Sequence, residues 1–300
     1  MYTQTFTLPG GYVDDQGVTQ RQVELAPVTG FEEEYLANVG PAVCSASVVT
    51  ALLARCIHRV GTLEPVTTSL VGNLLVGDRE FLMLKLREMT CGNKLDAVLF
   101  CADPECGKPM DVTLNLDEFA PEMKPVSERL FTLDLPADEG EVGRFSIEFR
   151  LPTGADQETA APLISGDEES AVCQLLARTI ARVNDETSVD QETVRALPPK
   201  VRKEIEERME KLAPHVTIEL ETSCIECQKP FSTLVDFTSF FLAEIKQSRR
   251  SLEQELHYLA WHYHWRESEI LALTRRKRRR YIELIQEELL GAETHASRAA

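Results

Sequence analysis

Two periodicities divide the chain. Residues 23–25 and 145–149 alternate apolar and polar positions, as a half-buried strand requires, and each run leads to a Thr-Gly turn. Residues 96–100 with 112–116, and 216–220 with 231–237, read as two further strand pairs, each joined by a turn that carries cysteines. Elsewhere the apolar residues recur at three- and four-residue steps, the mark of an amphipathic helix. Such stretches cover 48–60 and 171–183, then 79–89 and, after the Pro198-Pro199 break, 201–212. Glu32, Glu33 and Glu34 follow the first Thr-Gly turn, and Asp156 and Glu158 the second. Carboxylates there favour a helix start, where unpaired N–H groups and the helix dipole attract negative charge.

These elements come in a repeated order. Phe6-Thr7-Leu8-Pro9 is echoed by Phe131-Thr132-Leu133 with Leu135-Pro136, and VELAPVTGFEEE around Gly30 by IEFRLPTGADQE around Gly154. ALLARCIHRVG, with Arg55, matches QLLARTIARVN, with Arg178. Cys106-Gly107-Lys108-Pro109 matches Cys227-Gln228-Lys229-Pro230. The four pairs keep their order, and the spacing is too long for a solenoid repeat of roughly 20–50 residues, so a duplication on the scale of a domain is expected. The sequence thus predicts an α+β fold of two duplicated units, residues 1–120 and 127–238, followed by a helical tail over 239–300.

In the tail, Leu242, Ile245, Leu252, Leu256, Leu259 and Tyr263 form one apolar stripe that ends near His264-Trp265. A short helix over 267–273 and a third over 275–290, capped by Thr274, follow. Trp261, Tyr263, Trp265 and Tyr281, with Arg278 and Arg279 of the basic run 275–280, are the expected partner contacts of a docking module. Removing the tail is expected to leave a folded body.

Charge separates the two parts further. The formal net charge is −17. From residue 239 onward 11 Lys and Arg stand against 9 Asp and Glu, so the tail carries +2 and residues 1–238 carry −19. An acidic body argues against broad binding to nucleic acid or anionic lipid, because attraction follows the summed field. The basic run still leaves contact with duplex DNA as a weaker alternative to a protein partner. No basic n-region precedes an apolar stretch at the start, and no apolar run approaches the roughly 18 residues that cross a bilayer. The expected location is the cytoplasm of a producing bacterium, or a particle assembled there.

In a reducing compartment the paired cysteines need a reason other than disulfides. Cys101 and Cys106 are separated by four residues, Cys224 and Cys227 by two, and a Lys-Pro follows each pair. Turns of this kind aim two thiolates at one ion, and two such pairs fill a tetrahedral shell. One structural Zn²⁺ held by Cys101, Cys106, Cys224 and Cys227 would staple the units together. Two buried pairs of free thiols, or two half-sites completed by Cys91 or His215, stay open. Cys44, Cys56, Cys91 and Cys173 lack cysteine counterparts and read as core thiols.

No catalytic constellation assembles. His58 corresponds to Ala181 in the second unit, and His257, His262 and His264 lack the His-Glu-x-x-His spacing. Neither a phosphate-cradling glycine loop nor a Gly-x-Ser-x-Gly elbow is present.

The motifs together resemble the baseplate and tail-assembly family of T-even-type contractile phages and phage-derived injection systems. The resemblance rests on Thr-Gly-x-x-x-Glu at 29–34 and 153–158, Leu53-Ala54-Arg55-Cys56, Gly77-Asp78-Arg79-Glu80 and the cysteine knuckles. In the tail it rests on residues 255–260, His264-Trp265, Glu269-Ile270-Leu271, Leu273 and Arg278-Arg279-Arg280-Tyr281. It implies a role in tail or baseplate assembly without catalysis: a rigid adapter whose tail meets a tube, hub or tape-measure protein. A cytoplasmic assembly chaperone and a zinc-containing DNA-binding regulator are the alternatives.

Overall fold

The computed structural model describes residues 2–299 apart from 41, 117–124, 127, 137–142, 165, 217–218 and 248. The first half opens with β1 (Gln4–Val13) and β2 (Thr19–Leu25), and then β3 (Ile57–Val60) completes an antiparallel sheet in the order β1-β2-β3. Between β2 and β3 lie α1 (Gly30–Asn38) and α2 (Ser45–Cys56); a short α3 (Thr68–Gly72), the long α4 (Val76–Cys91) and the hairpin β4 (Lys94–Phe100) with β5 (Pro109–Asn115) follow.

The second half has the same order. Its sheet is β6 (Phe131–Leu135), β7 (Phe145–Phe149) and β8 (Ile180–Val183), again antiparallel, with α5 (Gly154–Ile164) and α6 (Glu168–Thr179) inserted before β8. Then come α7 (Gln191–Ala196), α8 (Pro199–Leu212) and the hairpin β9 (Glu219–Ser223) with β10 (Pro230–Leu234). The tail comprises α9 (Phe237–Gln247), α10 (Arg249–Tyr263), α11 (Glu267–Leu271) and α12 (Arg275–Ala299). The architecture is α+β with a helical C-terminal region.

The helices expected over 48–60 and 171–183 stop early. Each gives way to a four-residue strand, at Ile57 and Ile180, whose ψ values of 121° and 122° are extended. The misleading signal was Ile57 and Val60, both buried and three apart, which fits a helix face. A bulge brings them to one side of a strand instead: Leu25 pairs with Ile57 but Glu24 with Arg59, so His58 is passed over. Phe149 pairs with Ile180 and Glu148 with Arg182 in the same way, passing over Ala181. The predicted strand over 216–220 is observed as β9 from Glu219, with 217–218 outside the described residues, and the strand expected over 231–237 ends at Leu234.

One apolar core joins Leu8, Val23 and Leu25 of the first sheet to Leu52 and Leu53 of α2 and Leu82, Met83 and Leu86 of α4. Phe237, Phe241, Leu242 and Ile245 of α9 belong to that same core. A division at residue 239 therefore cuts through packed side chains, and the expected independence of the body from the tail does not hold for α9. The second half has its own core around Ile147, Phe149, Leu176, Val201 and Ile205.

Candidate metal centre and interaction surfaces

The two hairpins present their turns to one another. In β4–β5 the ladder runs without a break from Lys94↔Asn115 to Phe100↔Pro109, with Leu95, Ala97 and Leu99 buried on one face. Cys101 opens the turn and its N–H donates to the Lys108 carbonyl at 3.0 Å; the Cys106 N–H donates to the Asp103 carbonyl at 2.9 Å. In β9–β10 the Cys224 N–H donates to the Lys229 carbonyl at 3.1 Å. After the second cysteine of each turn the backbone enters the left-handed region, at Gly107 (φ 53°) and Gln228 (φ 60°). The turns differ in length but return their chains alike.

Cys101 Sγ lies 3.7 Å from Cys227 Sγ, and Cys106 Sγ lies 3.8 Å from Cys224 Sγ, so each close pair crosses from one hairpin to the other. All four sulfurs fall within 4.8 Å of one another and could hold a metal ion. A tetrahedral four-sulfur shell with metal–sulfur bonds of about 2.3 Å requires sulfur–sulfur separations of about 3.8 Å. The donor set and its spacing fit. Around it, Lys229 pairs with Asp103, and Lys108 with Glu226 at 3.3 Å, each pair again crossing between turns. Leu99, Met110, Leu220 and Phe231 close the apolar floor. Backbone N–H donation, first from Cys227, brings the Cys224 thiol down to about 7 against burial. The Asp103 N–H acts the same way on Cys101, but burial and the neighbouring thiols push that group up to about 12.

The remaining cysteines lie elsewhere. Cys44 contacts Ser47 Oγ at 3.1 Å, Cys56 and Cys173 are buried, and Cys91 lines a cleft beside α12. Burial raises the thiol of Cys91 to about 11. Nδ1 of His215 contacts the Ala213 carbonyl. Neither Cys91 nor His215 joins the four-sulfur cluster among the described residues.

The six expected partner contacts fall into three groups. Tyr263 stacks on Trp265 at 4.6 Å, and Tyr281 meets both edge-on, so this trio closes α10 against α12. Trp261 is 72% exposed, and Arg279 is exposed with its guanidinium 4.0 Å from Glu255. Arg278 departs from expectation. It is wholly buried; its guanidinium donates to both Glu33 oxygens at 2.9 and 3.0 Å, to Glu255 at 2.7 Å and to the Leu273 carbonyl at 2.8 Å. Arg278 is thus consumed in joining tail to body, since a buried guanidinium needs opposite charge beside it.

Sequence reading missed this centre. Glu32 does cap its helix, bonding the Thr29 N–H at 3.0 Å, but Glu33 is turned inward for the tail. A signal was available: Tyr281, Ile282 and Ile285 continue from Arg278 at helical steps, so the buried stripe of α12 itself points Arg278 inward.

A family model of the T4 bacteriophage base plate protein matches residues 1–242. The chain belongs to the T4 base plate protein family. No curated protein and no solved structure matches it. The base plate match spans both sheet-and-helix halves, both cysteine hairpins and the start of α9. It stops short of α10–α12, although the tail had carried the most detailed part of the resemblance. Membership supports a structural role in a phage base plate and interaction with other tail proteins. Among the described residues no helix is long and apolar enough to cross a membrane.

Proposed function

We propose that this base plate family chain is a non-enzymatic structural adapter of a contractile tail, formed by duplication of one α+β unit and stapled by a single structural Zn²⁺. The observation that carries the reading is the convergence of Cys101, Cys106, Cys224 and Cys227 from two hairpins 118–126 residues apart. A closed four-thiolate shell leaves no position for water or substrate, so the ion would lock the halves and not perform chemistry. Duplication is supported by the common element order and by the matching bulges at His58 and Ala181.

In this reading the tail is a docking element, with Trp261 and Arg279 as the groups that face a tube, hub or tape-measure partner. Protein is favoured over nucleic acid. Arg278 is buried, Arg275 lies 3.4 Å from Glu33, and Arg280 pairs with Glu283 and Glu287, so half of the six-residue basic run is engaged within the chain.

Metal analysis of the purified protein tests the staple, with Cys101→Ser and Cys224→Ser alongside. One zinc per chain, lost in both variants, is the expected result; a zinc-free native protein would remove the staple. The adapter role is tested separately by quantifying the chain in purified tail particles, where a fixed copy number is expected. Its absence from finished particles would instead indicate an assembly chaperone.

A further inference from the structure

Among the described residues one structural device occurs three times, while the surface that receives it is seen twice. Each instance is a short helix, a break and a long helix. Thr67 and Leu75 precede α3 and α4, Asp190 and Pro198 precede α7 and α8, and Arg266 and Thr274 precede α11 and α12; each pair is eight residues apart. Val71, Val194 and Ile270, four residues before the break, are all fully buried. Four residues after it stand Arg79, Arg202 and Arg278.

Two of these breaks are seated on a helix that begins with Thr-Gly. The Gly154 N–H donates to the Leu74 carbonyl at 3.0 Å, and Thr153 bridges Leu75. The Gly30 N–H donates to the Leu273 carbonyl at 3.2 Å, and Thr29 bridges Thr274. A side chain would crowd both seats, against backbone at Gly30 and against the Arg79 guanidinium at Gly154. A Cβ on Gly154 would stand 1.2 Å from Arg79 Nη1, and one on Gly30 would stand 2.8 Å from the Leu271 Cα. Each seat places the arginine of the break over the first turn of the receiving helix, and Glu33, three residues after Gly30, holds Arg278.

The third break, Leu197–Pro198 with Arg202, has no such seat to occupy. Thr-Gly occurs in this chain only at 29–30 and 153–154, and both are taken. Arg79 and Arg278 are 2% and 0% exposed, whereas the Arg202 side chain is 15% exposed. It rests on the outward-facing Glu169 at 3.0 Å and on Cys173 Sγ at 3.4 Å.

We infer that the Leu197–Pro198 break is an open docking site for a helix that begins Thr-Gly-x-x-Glu on a different protein chain. The glycine N–H would donate to the Leu197 carbonyl, the one backbone bond of the seat open to it because Pro199 lacks the N–H that Val76 gives the Pro152 carbonyl, and the carboxylate would take Arg202 from Glu169. The internal seats carry Glu32, Glu33 and Glu34, or Asp156 and Glu158; at the third break the exposed Arg195 and Lys203 stand among Glu168, Glu169 and Glu206, so the charge match rests on the pairing of Arg202. A second copy of this chain does not fit, because both of its seats are filled by its own breaks. The inference gives the adapter reading a partner surface, but it rests on the seating geometry and not on the zinc.

The test titrates the full-length protein, methyl-labelled for NMR, with a synthetic peptide of residues 26–39 as the probe. The expected result is saturable binding of one peptide per chain that moves Val194, Leu197 and Val201. At least tenfold weaker binding is expected of the peptide carrying Gly30→Val, and of the folded protein carrying Arg202→Met or Arg195→Glu. The altered peptide keeps the test decisive if a protein variant fails to fold. Absence of saturable binding, indifference to Gly30→Val, or shifts confined to Ile270 and Ile285 in the tail would overturn the inference. So would dimerisation of the protein alone that Arg202→Met abolishes, since that would make a second copy the occupant.

Discussion

Asp78 is completely buried at the start of α4, where its two carboxylate oxygens accept the N–H groups of Gly10 and Gly11, each at 2.8 Å. Burial raises this group from 3.8 to about 6, against the pull of those N–H groups and of Arg129 and Arg21. Between these values the native state holds a proton that the unfolded chain has lost, so stability falls as pH rises through that window. The difference corresponds to roughly 3 kcal/mol of stability, at about 1.4 kcal/mol for each pH unit between the two values. Urea melts at pH 4 and pH 7 should show this loss in the native protein and much less of it in Asp78→Asn; equal slopes would refute the assignment. Arg278 should be more sensitive still. Truncation to alanine removes the main cation from buried Glu33 and Glu255, leaving only the longer contacts of Arg275 and Arg279, and breaking such a pair typically costs about 3–5 kcal/mol. At this scale the sequence was legible for the four cysteines, whose spacing announces their chemistry. It was not legible for Glu33 with Arg278, because a pair 245 residues apart leaves no local pattern.

Among the elements, strands and helices were legible wherever one period ran uninterrupted. The hairpins, α4 and α8 lie close to where the apolar pattern puts them. Legibility failed at the junctions of α2 with β3 and of α6 with β8, where a bulge lets a strand mimic helical spacing. A further consequence concerns the contact of α4 with α5. Gln157 occupies the place, three residues after the seat glycine, that Glu33 occupies in α1. Arg79 shares a cavity of about 200 Å³ with Gln157, and its Nε and Nη1 lack partners among the described residues. Gln157→Glu should replace an amide oxygen by a charged carboxylate beside Arg79 and raise stability by about 1.5–3 kcal/mol, the usual worth of a hydrogen bond to a charged group. Thermal melts would show it; an unchanged or lower midpoint would mean the carboxylate does not reach. Gly154→Ala should act in the opposite direction, since its methyl group would displace Arg79.

For the whole molecule, the order of the parts was readable from the sequence and their docking was not. Matching motifs announce two similar halves, but nothing local says that a break in one half sits on the other, or that the tail seats on the first. The tail read as a docking module separate from the body, yet Phe241, Leu242 and Ile245 complete the first core. Deleting residues 239–300 should therefore yield aggregating protein, and a cut after 247 should be better tolerated; light scattering of both truncations checks this. Chelation should lower the melting temperature with little change in helical circular dichroism below the transition, because the four cysteines close a small cluster at the hairpin turns while the hairpin roots stay anchored in the first core through Leu95 and Leu114. Unchanged melting would mean the hairpins hold themselves together.

The seat at Gly30 gives the molecule a timetable as well as a shape. Its internal occupant, Leu273, is made 243 residues later. At about 5–20 residues per second that interval is roughly 12–50 s. Throughout it the nascent chain displays an acidic, glycine-opened helix start with Glu33 still in water. Any neighbouring protein that carries a break of the same design meets that surface before the chain's own tail exists, so the order of synthesis can decide which joint forms.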